Sequence, residues 1–140
     1  MSGAAVLYTP QVLALATSLA NYPWSDALPL QGSARSKSCG STLMLGLATD
    51  AEGRISQVAV RSQACAIGQA AAAIFAGAAI GADAASLAEA DRRISAWLAG
   101  EGSLPEWPGI EAISAARDFP ARHGAIRLAW QAARDLLPTA

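Results

Sequence analysis

Cys39, Cys65 and His123 are the only cysteines and the only histidine of a 140-residue chain, and they are its best candidates for thiolate or imidazole chemistry. Cys39 stands in Ser38-Cys39-Gly40-Ser41 and Cys65 in Gln63-Ala64-Cys65-Ala66-Ile67-Gly68. Each lies at the edge of a predicted regular element, where a thiol is held in place yet stays reachable. Such a pair suits a metal or cluster site. The plainer reading is that both are small, packed apolar residues and His123 a satisfied cap or surface histidine. No Gly-rich phosphate loop, clustered carboxylate pair or second histidine accompanies them, so kinase and hydrolytic-triad chemistry lacks support.

The elements that must position these residues follow from local pattern. Thr9-Pro10 offers an N-cap with proline at the first helical position, and Val12, Leu13, Leu15, Ala16 and Leu19 supply an apolar side to about Ala20. Asn21-Tyr22-Pro23-Trp24 and the polar Gln31 to Lys37, with Gly32 and several serines, read as a connection delivering the chain to Cys39. Alternation of Leu43, Leu45 and Leu47 predicts a strand over 42–48, and Val58 with Val60 a second over 54–62. Asp50-Ala51-Glu52-Gly53 between them reads as a hairpin loop, so Cys39 enters an antiparallel pair and Cys65 leaves it. That pairing sets the two thiols side by side. Cys65 also precedes an Ala-rich helix, whose N-terminal end favours thiolate chemistry.

The run from Ala64 to Ala85 imitates a membrane span, but its apolar positions are mostly alanine, and Gln69 and Asp83 interrupt it. A buried helix weakened or ended by Gly77 and Gly81 fits better. Residues 82–90, 91–99 and 109–117 read as short helices. A last helix follows Pro120, with Ile126, Ala129, Trp130, Ala133 and Leu137 on one side and Arg127, Gln131 and Arg134 on the other. The arginine face and Arg92-Arg93 read as solvated helix surfaces, with an acidic partner as the alternative. Trp97 and Trp130 read as core, Trp24 and Trp107 as loop anchors.

Composition bounds the rest. With 53% hydrophobic and 15% charged residues the chain has enough apolar surface for one core, and a net charge of -1 draws neither nucleic acid nor membrane. The N-terminus lacks a basic segment leading into a leucine-rich core, so a cytoplasmic protein with reduced cysteines is expected, and a structural disulfide is the weaker expectation.

Val6-Leu7-Tyr8 before the first helix, Ser38-Cys39-Gly40 at the hairpin entry, Cys65 at its exit, and Phe119-Pro120-Ala121-Arg122 followed by Leu128-Ala129-Trp130 occur in a telling order. In that order the chain resembles the IscU/NifU-type scaffold proteins of iron-sulfur cluster assembly, particularly the SufU-like branch. The resemblance implies an α+β fold, a small antiparallel sheet with helices packed against it (SufE/NifU-like), with residues 1–140 as a single NifU N-terminal-like domain. It also implies a site at one end, where three cysteines and an aspartate hold zinc or a nascent cluster. Cys39 and Cys65 match the first two cysteines. The aspartate position carries Ser41, and the third cysteine falls at Ala125, or at Gly124 if the register slips by one.

His123 stands nearby as a nitrogen ligand, and two thiolates with one imidazole suit zinc with one position open. An iron-sulfur cluster generally takes four protein ligands, so a second subunit, making a homodimer, or a small thiol would have to supply the remainder. The partners implied are a cysteine desulfurase and recipient iron-sulfur proteins, and the role is that of a carrier rather than an enzyme. Two other functions stand beside it. One is a zinc-dependent sulfur acceptor in which Cys65 takes a persulfide from the desulfurase. The other is a degenerate paralogue that keeps the fold for protein contacts alone and binds no metal.

Overall fold

The computed structural model describes residues 7–37 and 40–137. Helix α1 (Pro10–Ser18) begins as its sequence requires: Thr9 is extended and its Oγ1 accepts from the Val12 backbone N–H at 3.1 Å. A 3-10 turn (Leu19–Asn21) extends it. Three strands follow, β1 (Leu30–Arg35), β2 (Thr42–Thr49) and β3 (Ile55–Gln63), forming an antiparallel sheet in the order β1-β2-β3. The hairpin between β2 and β3 is built on Asp50, whose Oδ1 accepts from the N–H of Glu52 and of Arg54 at 2.9 Å, with Gly53 at φ +78°.

Strand β1 corrects the expectation of a connection over Gln31 to Lys37. Its inward residues are Leu30, Gly32 and Ala34, so the period-2 signal is carried by small side chains, and Gly32-Ser33 imitates a turn. Gly32 has a packing reason: a Cβ there would lie 3.0 Å from Leu136 Cδ2, so the missing side chain lets the last helix sit close on the sheet.

The inward faces of β2 and β3 bury Leu43, Leu45, Leu47 and Val60. Against them lies α2 (Ala66–Ala79), buried on almost every side because alanine lets neighbouring helices approach closely. At 14 residues it is about 21 Å long, short of a ~30 Å bilayer core. No helix among the described residues is long and apolar enough to cross a membrane. It ends at Ala79 and runs through Gly77 without a break.

Helix α3 (Ala84–Leu98) is one helix, not the two expected with a boundary at Ala90/Asp91. Asp83 and Ser86 form a reciprocal capping box, and the Ser86 hydrogen bonds hold the Asp83 carboxyl below its usual range. Residues Ile110–Asp118, expected as a helix over 109–117, wind as 3-10 turns with a kink at Ile113. A further 3-10 turn (Pro120–Arg122) leads into α4 (His123–Leu136).

Helix α4 packs along β1, β2, α2 and α3 and brings Trp130 into the core. There Phe75 stacks on Trp107 at 5.6 Å, and Trp130 meets both rings edge-on at 5.6 Å. Each contact adds about 0.5–1.5 kcal/mol beyond area burial. Trp107 Nε1 donates to the Ile74 carbonyl at 2.9 Å, which anchors the loop before the 3-10 segment.

The two arginine faces, read as solvated, also form ion pairs within the chain. Glu89 accepts from Arg92 Nε at 3.1 Å and Arg93 Nε at 2.7 Å, and the two guanidinium groups lower its carboxyl to about 2. On α4, Arg134 Nη1 donates to Asp91 Oδ2 at 2.9 Å and Arg127 Nη2 lies 3.6 Å from Oδ1. Asp91 itself is only 2% exposed. Arg92, Arg93 and Arg134 keep more than half of their side chains in solvent, as expected of a solvated face, whereas Arg127 is about two-thirds covered.

Candidate metal centre

Sheet register and helix packing bring three chain segments to one end of the molecule. Thr42 stands opposite Gln63, so Gly40-Ser41 at the start of β2 lies alongside Ala64-Cys65 at the end of β3. Helix α4 reaches the same end by way of Gly68: a Cβ on that residue would lie 3.2 Å from Ala125 Cβ and 2.9 Å from Ala64 Cβ. The first turns of α2 and α4 therefore touch beside Cys65.

Cys65 is the N-cap residue of α2, with φ -64° and ψ 168°, and its side chain makes no capping hydrogen bond. It is half-buried, packed against the core, and in no disulfide. Gln69 fastens the helix start by donating its side-chain amide to the Ala64 carbonyl at 3.0 Å and its backbone N–H to the Cys65 carbonyl at 3.0 Å. The thiol is thus held on a fixed backbone. Cys39, expected as the first ligand, lies outside the described residues.

His123 opens α4 at this same end. Its Nε2 lies 3.1 Å from the Ala116 carbonyl and 2.9 Å from the Arg117 carbonyl. Carbonyl oxygens only accept, so Nε2 carries the hydrogen, and Nδ1 is the nitrogen left with a lone pair in the neutral ring. A ring N–H given to a backbone carbonyl is the usual support of a metal-bound imidazole. Sequence reasoning had no signal for those two carbonyls, which come from a 3-10 turn whose path depends on the tertiary fold.

The other two positions supply little. Ser41 is buried at 6% exposure, and its carbonyl accepts from the Ser36 N–H at 2.8 Å. Ala125 is buried against Gly68 and offers no donor atom, and Gly124 beside it is half-buried. Among the described residues no three His, Cys, Asp or Glu side chains gather closely enough to hold a metal ion. Among the described residues the Cys65 thiol and the His123 ring are the donors that the expected positions offer, and they do not form a closed four-ligand cage.

The close approach at Gly68 makes a contrast with Gly32 measurable. Gly32→Ala meets only the tip of the flexible Leu136 side chain, so stability should stay within about 0.5 kcal/mol of wild type. Gly68→Ala gains up to ~1 kcal/mol of helix propensity, yet its Cβ would press on Ala64 and Ala125, which have no side-chain freedom to yield. A net loss of about 1–2 kcal/mol in urea unfolding is expected. Equal stabilities for the two variants would show that α2 and α4 separate easily at this end.

No protein-family profile matches the chain, and no curated protein matches it. Solved structures do. The N-terminal domain of a nitrogen-fixing NifU-like protein from Brucella abortus superposes with a TM-score of 0.87 and 28% identity, covering 96% of this chain and 94% of that one. A putative iron-sulfur cluster assembly scaffold protein for the SUF system from Fervidobacterium islandicum AW-1 superposes with a TM-score of 0.81 and 18% identity, over 94% of this chain and 96% of that one. With its three-stranded antiparallel sheet and the helices packed against it, the protein shares its α+β fold, along nearly its whole length, with a NifU-like N-terminal domain and a SUF-system scaffold protein.

Proposed function

We propose that this protein is an iron-sulfur cluster assembly scaffold, a carrier that holds an incoming metal ion or nascent cluster as cargo and releases it to a recipient protein. Cys39 and Cys65 supply thiolates and His123 supplies Nδ1. The observation that carries this reading is the convergence of the β2 start, Cys65 and the α4 start at one end of a fold shared along its length with a NifU-like domain. The description of the Fervidobacterium protein as a scaffold supports the same role. A cysteine desulfurase as sulfur source and iron-sulfur apoproteins as recipients follow from it.

The chain's own residues suit transfer better than storage. Cys65 is positioned by backbone bonds rather than by a side-chain cap, so its thiolate needs no internal partner displaced before it binds. The imidazole orientation is fixed by two carbonyls. With at most three donors from one chain, the remaining positions fall to a small thiol or to a neighbouring molecule, and exchange there is rapid compared with a closed site. An uncapped Cys65 also supports the zinc-dependent sulfur-acceptor reading, in which that thiol is the nucleophile. Ala125 and Ser41 support the degenerate reading, in which only the fold is kept.

Iron, zinc and acid-labile sulfide measured in protein purified without oxygen or chelator separate the three. Near-stoichiometric iron with sulfide, lost in Cys39→Ser, Cys65→Ser and His123→Ala, is the result expected of the scaffold. Zinc without sulfide, with persulfide formed on Cys65, would favour the sulfur acceptor. Protein that stays empty even after reconstitution with iron and sulfide would end both and leave the interaction domain.

A further inference from the structure

We infer that the outward face of the sheet beside Cys65 is a docking surface for an acidic segment of a partner protein. Strand alternation and register define that face. Arg35, Thr42 and Gln63 form its last row before the Cys65 end, and Ser33, Met44 and Arg61 form the next. Of these six, all but the half-buried Thr42 are exposed, and Lys37 stands exposed just beyond Arg35. None of the outward positions of the three strands carries a carboxylate.

The charges here differ from the paired arginines of α3 and α4. Arg92 and Arg93 each pair with Glu89, and Arg127 and Arg134 each pair with Asp91. Arg35, Lys37 and Arg61, like Arg54, Arg117 and Arg122, have no ion pair among the described residues, and the first three stand together on one sheet face and just beyond its edge. Arg61 is steadied by an aromatic ring instead, its guanidinium carbon 5.5 Å from the Trp24 ring centroid. The nearby acid, Asp26, accepts from Trp24 Nε1 at 2.8 Å. Arg61 is thereby held in place with its charge available.

Met44 lies between the cations and is 37% exposed, one of few large apolar side chains so open. A flexible thioether flanked by unpaired cations matches an acidic segment that carries an apolar residue among its carboxylates. Nucleic acid would find no aromatic stack open to it here, since Trp24 is taken up by Arg61. The face is also continuous with the candidate centre: Arg61 and Cys65 are four residues apart along β3 and its exit, about 13 Å. A partner seated on the face is brought within reach of the thiol. The geometry of this surface stands without the scaffold reading, and only the nature of what passes between the partners rests on it.

The test uses the full chain and a synthetic ten-residue peptide of glutamates flanking a central leucine, followed by backbone amide shifts in NMR at low and high salt. Shifts concentrated at residues 33–37, 42–46 and 59–63 are expected, with affinity falling at least tenfold between 50 and 300 mM salt, as about two screened charge contacts require. Arg35→Glu/Arg61→Glu should weaken binding at least tenfold again, and Arg92→Glu/Arg93→Glu should not. Equal losses in both double variants, or shifts spread over α3 and α4, would overturn the proposal. So would concentration-dependent self-association through this face, with the acidic Asp50–Gly53 hairpin of a second copy as the occupant. Metal and sulfide content of the same variants, expected to match wild type, keeps failure here separate from failure of the scaffold function.

Discussion

Replacing Asp91 by alanine should cost about 3 kcal/mol of folding stability, a fall in Tm of about 6–12 °C for a chain of this size. The carboxylate is buried between α3 and α4, and among the described residues it is the only one that forms an ion pair with Arg127 or Arg134. Truncating it leaves the half-buried Arg127 guanidinium without a counter-charge in a partly dry site, and an uncompensated charge is far more costly than a missing pair. Arg134 has more than half its side chain in water and can hydrate when freed, so Arg134→Met should cost about 1 kcal/mol or less. The decisive comparison is Asp91→Leu/Arg127→Met/Arg134→Met, which removes every charge together and should recover most of the loss. Thermal or urea unfolding of the three proteins checks this. A near-neutral Asp91→Ala would mean that α3 is held to α4 by apolar packing alone.

The same residue explains why part of the fold could not be read locally. Asp91-Arg92-Arg93 looks like a polar break, and a boundary there is reasonable until the partner is known. The partner is an arginine pair on α4, some forty residues further along the chain. A buried charge inside a helix is legible only from the tertiary structure. Strand β1 escaped for a related reason. Its inward side is Leu30, Gly32 and Ala34, and the residue that signals a turn packs directly beneath the Leu136 side chain. By contrast, the Thr9 cap and the Asp50 hairpin were legible because every partner lies within four residues.

The centre divides in the same way. Antiparallel pairing of two leucine- and valine-bearing strands was enough to place Cys65 at the end where the Cys39 segment enters, and the Thr42–Gln63 register agrees. What spacing could not show is how His123 is held, or that Ala125 sits one helical turn from Cys65 against Gly68. These are contacts between helix ends, set by the packing of α2 on α4. At the positions that the sequence resemblance singles out, Ser41 and Ala125 bring no carboxylate or thiol, and no three His, Cys, Asp or Glu side chains gather among the described residues.

That shortage leads to the prediction with the largest functional effect. If Cys39, Cys65 and His123 are the chain's whole contribution to a bound cluster, then reconstitution of wild-type protein with iron and sulfide should depend steeply on added small thiol, which completes the coordination. Ala125→Cys restores an internal donor at the α4 start, beside the turn that carries Cys65. It should hold cluster without added thiol and slow its loss to a chelator by at least tenfold, equivalent to about 1.4 kcal/mol of added stabilisation. The sulfur must be fitted into a packed contact, at a cost of about 1–3 kcal/mol to the empty protein. The variant should therefore unfold more easily when empty, and loading should recover that loss, since a ligand that binds only the folded state stabilises it by mass action. Thermal unfolding with and without reconstitution reads both halves of the argument. A variant that loads no better than wild type, while wild type loads independently of thiol, would show that the wild-type ligand set is already complete from residues other than these three. A variant and wild type that both stay empty would show instead that the position of Ala125 is one this chain has given over to packing.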